Sequence, residues 1–572
     1  MILNSLVDYY ENLIEHEKIP EDGWSNVKVS FALWIDDSGE IERVTSLKMT
    51  DGKKSSPSLM KVPEQVLRSS GVSPNFLCDN SSYCLGVDNK GKPERAKDCF
   101  RAAGELYKKI LGGLHETAVC ALLQFFETWN PENFFASDVF LQFRDDIIQG
   151  GNIVFCYKGT YIHQFEDVKR AWKEYKLSES GDNKSLCLVT GKEDTTARVH
   201  PLIKGIKNSQ TSGASLVSFN APSFCSFGKE QGTNAPIGET AAKAYGTALN
   251  YLISNINYKQ YIGDTAVLAY SSNGDEVYQS ALDVFLFGED SSYTEEELQN
   301  MIADLCQGKT VVFNESKVDP SMEFFILGLA PNAARLSVRF FLRNRFGTII
   351  QNIRQHQERL ELVGGVNEKH KYVPVWRILK ETYRDGGSPS PVLAGELLQA
   401  ILSNGKYPAT LINAVDIRIR ADRDINEVRA AVIKAYYLKN RNKNISKEVL
   451  TVALNKETND VAYNLGRLFS ILEMVQKSAN NGINATIKDK FFVSASATPA
   501  AVFPYLIDLS QNHLRKLGDG SRIFYEKQIG EIMDKFGGGF PRILNMPERG
   551  AFQLGYYHQV QENYKKNEKG GE

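Results

Sequence analysis

Residues Leu216–Asn250 read LVSFNAPSFCSFGKEQGTNAPIGETAAKAYGTALN, a short apolar run followed by a long polar loop and a helical pattern. The first four residues, Leu216–Phe219, predict a short strand because three of them are apolar. Glycines and prolines punctuate the roughly twenty residues that follow and break regular structure there. From Ala241 to Leu252, apolar residues recur every three or four positions, as on one face of a helix.

The side chains of this loop make it a candidate nucleic-acid site. Long ordered loops are uncommon in compact domains and are usually functional, and the phenylalanines of this loop can anchor it. Amide side chains and a lysine on a rigid loop can hydrogen-bond to base edges and phosphates. A packed surface loop without a ligand is the alternative. The candidate DNA-binding residues of the loop are Asn220, Ser226, Phe227, Lys229, Gln231 and Asn234.

Length and composition are those of an ordinary soluble protein with more than one domain. The chain has 572 residues, which exceeds the size at which a single hydrophobic core usually stops growing. Apolar residues make up 42% of the chain and charged residues 24%, as in typical globular proteins. The net charge of −2 argues against a globally basic nucleic-acid binder, although a binding groove needs only a local basic patch.

The cysteines and the N-terminus predict a cytoplasmic protein. The eight cysteines are scattered and form no CxxC pair, as in a reduced chain rather than a disulfide framework. Residues 1–10 lack the basic start and long apolar core of a signal peptide. No apolar run approaches the roughly 20 residues needed to cross a bilayer. We therefore expect a cytoplasmic protein with no membrane contact.

The first two thirds of the chain predict a mixed α+β fold. Apolar residues alternate from Val27 to Ile35, a turn follows at Asp37–Gly39, and a second strand returns from Ile41. Further short strands are predicted at Asn152–Tyr157, Ala266–Tyr270, Leu282–Gly288, Thr310–Phe313 and Glu323–Leu329. Helical patterns lie between these strands, so an α+β body fits better than a barrel or a regular βαβ array.

A linker and a helical bundle are predicted for the last third. The sequence GGSPSP at residues 386–391 has two glycines and two prolines, which break any regular element. Downstream patterns are helical, with Ser390 capping a helix that begins at Pro391 and Asp424 with Glu427 forming a capping box. We therefore predict an α+β domain over residues 1–385, a linker over 386–391 and an antiparallel all-α bundle over 392–572.

Arginines are concentrated just before this linker. Residues Pro331–Leu360 contain six arginines and one acid, a net charge of +5. Arg335, Arg339 and Arg343 recur every four residues, which predicts one basic helical face with Phe340–Leu342 anchoring the opposite face. Like charges at this spacing repel, so the pattern favours a nucleic-acid contact. A solvated face or an acidic partner subunit would explain the same pattern.

Motifs of common enzymes are absent from the sequence. Gln307–Thr310 (QGKT) resembles the end of a nucleotide-binding loop, but Ala303 stands where the first glycine is required. Neither HExxH nor GxSxG occurs. Asp36–Asp37 and Asp145–Asp146 are adjacent acid pairs, and a metal-dependent nuclease would need such carboxylates clustered around a metal pair. We expect no catalytic residue, cofactor or metal, with a metal-dependent nuclease as the alternative.

Several distinctive strings resemble one known family. They are CLVTGK at Cys187–Lys192, VHPLIKGI at Val199–Ile206, the Ser218–Pro236 stretch, YGTALNYLI at Tyr245–Ile253, GDTAVLAY at Gly263–Tyr270 and YNLGRLF at Tyr463–Phe469. In these strings and their order, the chain is similar to the large subunits of type I-C CRISPR Cascade complexes. Phe227 departs from the family pattern, which has tyrosine there, so the ring is kept and a hydroxyl is lost.

The resemblance implies a protein without chemistry of its own. Such subunits recognise the protospacer-adjacent motif in duplex DNA, aid duplex opening and R-loop formation, and hold the displaced strand, while base pairing with the guide recognises the target. The implied partners are the backbone, small and crRNA-end-capping subunits of a crRNA-containing complex and a recruited helicase-nuclease. The C-terminal bundle resembles the small subunit, which lines a channel for displaced DNA.

Overall fold

The computed structural model of the protein describes residues 2–51, 54–66, 71–88, 91–178, 184–287, 293–362, 372–480 and 482–568. The chain divides into two compact units. The N-terminal unit consists of Leu6–Val199 and Phe219–Tyr245. The C-terminal unit consists of Met1–Ser5, His200–Ser218 and Gly246–Glu572.

The helices are α1 (Ile2–Glu15), α2 (Ser81–Cys84), α3 (Pro93–Leu111), α4 (Thr117–Thr128), α5 (Asn133–Ala136), α6 (Arg144–Gln149), α7 (Glu166–Ser178), α8 (Glu239–Ser254), α9 (Val277–Phe287), α10 (Glu295–Cys306), α11 (Phe346–Leu360), α12 (Val375–Lys380), α13 (Pro391–Leu402), α14 (Ala409–Asp422), α15 (Glu427–Asn440), α16 (Val461–Ala479), α17 (Ile487–Ala497), α18 (Pro499–Leu514), α19 (Asp519–Met533) and α20 (Met546–Glu568).

The strands are β1 (Trp24–Ile35), β2 (Ile41–Ser46), β3 (Lys48–Asp51), β4 (Lys54–Pro63), β5 (Cys78–Asp79), β6 (Asn152–Tyr157), β7 (Thr160–Tyr161), β8 (Lys184–Leu186), β9 (Glu193–Thr195), β10 (Leu202–Ile203), β11 (Ala214–Ser215), β12 (Lys259–Ile262), β13 (Thr265–Ser271), β14 (Val311–Phe313), β15 (Ser316–Val318), β16 (Glu323–Asn332) and β17 (Arg335–Arg345). This mixture of helices and sheets, followed by an all-helical region from α11 to α20, confirms the predicted α+β fold class.

The sheet of the N-terminal unit is built around β1. Its strand order is β3–β4–β1–β6–β5, with β2 also on β1 and β7 on β6. The alternating residues Phe31, Leu33 and Ile35 are buried in a core shared with α3 and α4, as the period of two predicts. The predicted hairpin is confirmed, because β1 and β2 pair antiparallel and the Asp36 carboxylate accepts hydrogen bonds from the turn between them.

The sheet of the C-terminal unit has the order β10–β11–β17–β16–β13–β12. Its central strands β13 and β16 are almost entirely buried, and one hydrophobic core continues from this sheet into the helices. The predicted strand at Leu282–Gly288 is wrong: residues up to Phe287 belong to α9, and Gly288 lies outside the described residues. A short apolar run fits a buried helix as well as a strand, so periodicity could not separate the two.

Two other local predictions are also wrong. Leu216–Phe219 forms no strand, since β11 ends at Ser215. The basic segment from Arg335 to Arg345 is a strand rather than a helix. A spacing of four also places residues on one face of a strand, because side chains alternate with a period of two. The antiparallel partner β16 supplies the hydrogen bonds that favour a strand here.

The helix starts of the last third are partly as predicted. Ser390 caps α13 by accepting a hydrogen bond from the Leu393 N–H, and Pro391 is its first residue. The capping residue of α15 is Asn426, which bonds the Arg429 N–H, so the capping box predicted at Asp424 is wrong. Residues 386–391 lie within the C-terminal unit: 386–390 lie between α12 and α13, and Pro391 begins α13. The domain boundary at this linker stays a prediction.

The last helix, α20, packs against α16 at very short range. An added Cβ on Gly466 of α16 would lie 1.9 Å from the Phe552 carbonyl oxygen of α20. An added Cβ on Gly555 of α20 would lie 2.0 Å from the Tyr463 carbonyl oxygen of α16. Each glycine therefore admits the backbone of the other helix, which explains the glycine in YNLGRLF.

Candidate nucleic-acid interface

The backbone of the polar loop is tied to a neighbouring segment of the N-terminal unit. The Gly232 N–H donates to the Arg198 carbonyl at 3.1 Å, and the Ala197 N–H donates to the Ile237 carbonyl at 2.8 Å. An added Cβ on Gly232 would lie 1.9 Å from the Ala197 carbonyl oxygen, so only glycine permits this approach. These contacts fix the base of the loop and leave its tip projecting.

The string Cys187–Lys192 forms a turn that hydrogen-bonds to the C-terminal end of this loop. The Cys187 N–H donates to the Lys192 carbonyl at 2.9 Å, closing a tight turn. The buried Cys187 Sγ accepts a hydrogen bond from the Gly238 N–H at 3.2 Å. Burial raises the pKa of the thiol, but hydrogen bonds from Thr190 and backbone N–H groups outweigh burial, so the pKa of Cys187 lies below its usual range. This cysteine therefore stabilises the end of the loop.

The tip of the loop is a tight turn that presents Phe227 to solvent. The Lys229 N–H donates to the Ser226 carbonyl at 3.0 Å across the turn. Both central residues are left-handed, with φ of 54° at Phe227 and 67° at Gly228, as in a type I′ turn. The left-handed conformation costs a bulky residue roughly 1–2 kcal/mol. The Phe227 side chain is nevertheless 97% exposed, so no packing in the described residues of this unit compensates for the strain.

Asn234 holds the tip in this shape. Its Oδ1 accepts a hydrogen bond from the Ser226 N–H at 3.0 Å, and its Nδ2 donates to the carbonyls of Lys229 at 3.2 Å and Gln231 at 3.0 Å. The amide thus uses both its acceptor and its donor within the loop. A base edge would have to compete with all three bonds, so Asn234 positions the turn, and its contact with DNA stays a prediction.

Gln231 is joined to an arginine that the sequence analysis did not identify. Arg198 Nε donates to Gln231 Oε1 at 2.5 Å, and Arg198 is exposed. Arg198 directly precedes the string Val199–Ile206, and this position in the sequence is the signal that could have identified it. Of the other predicted loop residues, Asn220, Ser226 and Lys229 are exposed. The loop therefore presents an aromatic ring, a lysine and a glutamine, and Arg198 joins that glutamine from the neighbouring segment.

The three arginines of β17 lie in the C-terminal unit. Arg343 Nε lies 2.6 Å from Glu323 Oε1, and Arg339 Nη2 lies 3.7 Å from Asp264 Oδ2. Arg339 occupies a β-bulge, since Val338 pairs with Leu329 and Phe340 with Gly328. The neighbouring strand and turn thus bring carboxylates to these arginines. The charge count over residues 331–360 did not include these carboxylates, because they lie earlier in the sequence.

One carboxylate of each acid pair considered for a nuclease forms an ion pair with a lysine. The Asp146 carboxylate lies 2.8 Å from Lys48 Nζ, and the Asp37 carboxylate lies 2.8 Å from Lys158 Nζ. Within the described ranges, no group of three or more histidine, cysteine, aspartate or glutamate side chains is arranged to hold a metal ion. In the same ranges, no helix is long and apolar enough to cross a membrane.

Comparison with known families identifies the class of protein. A family model described as CRISPR-associated protein (Cas_Csd1) matches residues 6–564, nearly the whole chain, which is therefore a CRISPR-associated protein. The chain belongs to the Cas_Csd1 family, the family of the large subunit of the type I-C Cascade. A search among curated proteins found no match.

Proposed function

We propose that this chain is the non-catalytic large subunit that recognises the protospacer-adjacent motif in duplex DNA within a crRNA-guided complex in the cytoplasm. It aids duplex opening and R-loop formation and supports recruitment of the helicase-nuclease. The observation that supports this proposal best is Phe227, an exposed ring held in a strained left-handed turn. Strained, exposed residues of this kind cluster at functional sites.

An exposed aromatic ring on a rigid tip suits the opening of a duplex. Apolar side chains that enter between base steps unstack them and kink the helix, at a cost of a few kcal/mol per step. The hydrogen bonds of Asn234 hold the turn in shape before DNA arrives, so the ordering cost is not paid on binding. Phe227 then acts as a wedge beside the recognised motif.

The polar groups next to Phe227 provide recognition. Arginine pairs with guanine and glutamine with adenine through two hydrogen bonds in the major groove, while lysine contacts guanine or phosphate. Arg198 and Gln231 are joined side by side, and Lys229 is exposed two residues from Phe227. Base contacts and a backbone contact thus come from the loop and the adjoining Arg198, with Asn220 and Ser226 as further polar contacts.

The rest of the assembly supplies target recognition and cleavage. Guide pairing identifies the target strand, and protein contacts identify the short flanking motif. The backbone, small and crRNA-end-capping subunits hold the guide RNA. The arginines of β17, Arg335, Arg339 and Arg343, together with the helical bundle, contact the displaced strand through its phosphates.

The loop assignment is tested in the assembled complex. Lys229→Ala combined with Gln231→Ala should weaken binding to motif-bearing duplex and reduce discrimination against a scrambled motif. Lys173→Ala with Gln142→Ala removes the same side-chain types from exposed positions of the same unit, and it should leave discrimination unchanged. Full discrimination in the loop variant contradicts the assignment. Cleavage of labelled DNA in Mg²⁺ or Mn²⁺ that Asp145→Ala and Asp146→Ala abolish would establish the nuclease instead.

A further inference from the structure

One edge of the sheet in the N-terminal unit is open along β4. This strand pairs with β3 through residues 54–57 and with β1 through residues 58–63. Among the described residues, no strand pairs with the outer side of residues 58–63. An exposed edge strand is a template for pairing with another chain, and proteins usually block such edges. The outer edge of β4 is therefore a candidate docking surface.

The backbone groups of Leu59 and Lys61 point away from β1. The Glu64 N–H donates to the Gly23 carbonyl at 2.8 Å, in the same register as the β1–β4 pair. Residues of an antiparallel pair alternate between bonded and non-bonded, so the even-numbered residues of β4 bond to β1 and the odd-numbered residues do not. The N–H and carbonyl of Leu59 and Lys61 are thus directed outward. Leu59 is 65% exposed and Lys61 is also exposed, so another chain can reach them.

Prolines limit the length of this open edge. Pro57 and Pro63 flank it, and neither has an N–H to donate. The Pro63 carbonyl already accepts a hydrogen bond from Gln65 Nε2 at 3.1 Å. The edge therefore offers N–H donors only at Leu59 and Lys61, which suits a short extended segment rather than a whole sheet.

The side chains beside this edge are apolar and basic. Leu59 and Lys61 share one face of the sheet, and Lys28 of β1 pairs with Leu59. Lys28 is exposed and forms no ion pair within the described residues. Lys61 Nζ lies 2.9 Å from the Glu21 carboxylate, but both side chains are about half exposed, where such a pair contributes little. An acidic side chain on an added strand would meet Lys61 directly, with Lys28 one strand further.

We propose that the outer edge of β4 binds an extended acidic segment of another protein as an added strand. Main-chain hydrogen bonds to Leu59 and Lys61 attach the segment, as in other cases of strand addition. The segment has an apolar residue beside Leu59 and an aspartate or glutamate two positions away, beside Lys61, because matched cross-strand pairs stabilise a sheet. This inference goes beyond the proposed function, since it concerns a protein contact and not DNA.

Two other occupants fit this edge less well. A two-fold antiparallel pairing of two β4 edges would gather Lys28 and Lys61 of both copies on one face, and like charges across strands destabilise a sheet. A nucleic acid would offer phosphates to the lysines but no regular donors to the carbonyls of Leu59 and Lys61. An acidic protein segment satisfies both the charges and the backbone groups.

Hydrogen exchange tests the backbone contact. In the isolated chain, the amides of Leu59 and Lys61 should exchange fast, while those of Met60 and Val62, which bond to β1, exchange slowly. In the complex that copurifies with the full chain, the Leu59 and Lys61 amides should slow by about tenfold or more. Mass spectrometry with electron-transfer fragmentation resolves single amides. Unchanged exchange at both amides overturns the proposal.

Photocrosslinking in the same complex identifies the occupant. With Leu59 replaced by p-benzoylphenylalanine, irradiation should join position 59 to another protein, at a segment with an apolar and an acidic residue two positions apart. Crosslinks confined to nucleic acid or to a second copy of this chain overturn the proposal. If the crosslinked protein belongs to a complex without crRNA, the docking surface stands and the proposed function fails.

Substitutions separate the edge from the fold. Leu59→Pro removes an outward N–H and should melt as the wild type does, because proline is tolerated on edge strands, but it should lose the crosslinked partner. Leu59→Ala keeps the N–H and should retain more of the partner. Lys61→Glu should also lose the partner, whereas Lys173→Glu, at an exposed position of α7, should not. Full retention of the partner by both Leu59→Pro and Lys61→Glu contradicts strand addition.

Discussion

Gln231 accepts a hydrogen bond from Arg198, although 33 residues separate the two in the chain. The bond joins Arg198 Nε to Gln231 Oε1 at 2.5 Å and uses one donor of a guanidinium that has five. The remaining donors stay oriented by this contact. Arg198 is therefore part of the candidate interface as much as the loop residues are.

We predict that Arg198→Ala lowers the affinity of the assembled complex for motif-bearing duplex by roughly 1–3 kcal/mol, the range of one specific base contact. Arg198→Lys keeps the charge but loses the planar fork, so its affinity should fall between alanine and wild type. Equilibrium binding at one fixed salt concentration measures both. Equal affinity of the lysine variant and the wild type would show a phosphate contact instead.

Phe227→Gly should separate folding from DNA opening. Glycine relieves the left-handed strain of about 1–2 kcal/mol and adds about 0.5–1 kcal/mol of backbone entropy cost, so the free chain should be as stable as the wild type or slightly more. Duplex opening, followed by 2-aminopurine fluorescence in the complex, should fall. Phe227→Tyr keeps the ring and should open DNA normally. A glycine variant that opens DNA normally would exclude the wedge.

The arginines of β17 should act through salt-dependent phosphate contacts. Replacement of Arg335, Arg339 and Arg343 by glutamine should reduce the salt slope of single-strand binding by about 1 to 2, less than three independent contacts would give, because Glu323 and Asp264 already pair with two of them. Glu323→Gln removes one competing carboxylate and should tighten binding. If neither variant changes the slope, this strand faces a protein.

Gly466→Ala should strongly destabilise the C-terminal unit. The new Cβ would lie 1.9 Å from the Phe552 carbonyl oxygen, so α16 and α20 must separate at a cost of about 3 kcal/mol. Gly530→Ala is the matched control, since Gly530 lies in α19 and, outside the backbone of that helix, no atom of the described residues lies within 4 Å of an added Cβ. It should gain about 0.5–1 kcal/mol. Denaturant unfolding measures both, and equal stability of the two variants would contradict the close packing.

His558 should make the stability of the C-terminal unit depend on pH. Burial lowers its pKa to about 4, with a further contribution from Lys434, while an unfolded histidine titrates near 6.5. The unfolded chain therefore binds a proton between these pH values that the folded chain does not, and the free energy of unfolding falls as pH falls. By pH 5 this histidine accounts for about 2 kcal/mol.

His558→Gln is the matched variant for this prediction. Glutamine does not titrate and can still hydrogen-bond to the Tyr463 hydroxyl, which lies 2.9 Å from His558 Nδ1. The loss of stability between pH 7.5 and pH 5, measured by denaturant unfolding, should be about 2 kcal/mol smaller in the variant. An identical loss in both proteins would show that His558 titrates normally in the folded chain.

Local patterns predicted the elements whose burial follows a simple period. The alternation in β1 matches the buried positions Phe31, Leu33 and Ile35, and Ser390 before Pro391 marks the start of α13. The buried face of helix α20 is partly polar, with Gln553, His558 and Gln559 inside the bundle. Those side chains bond to groups on other helices, which an apolar period cannot detect.

The candidate site was predictable by position but not by geometry. Loop length and composition indicated residues 220–234, and the family match over residues 6–564 agrees with the resemblance. The pairing of Arg198 with Gln231 and the carboxylates beside Arg339 and Arg343 depend on segments distant in sequence. The left-handed conformation of Phe227 is one that bulky residues rarely adopt. Residue preferences would therefore predict a negative φ at this position.

The two compact units are interleaved along the chain, and this order limits how the protein can be made or cut. A nascent chain cannot complete the N-terminal unit until Tyr245 has left the ribosome. At that point residues 200–218 cannot yet pack, because the rest of their unit is synthesised later. A truncation ending at Ser218 would lack the whole candidate DNA-binding loop. One starting at His200 would retain the loop without the segment that anchors it. A shortened version of this subunit should therefore join the separate segments of one unit, because a single truncation point removes part of both units.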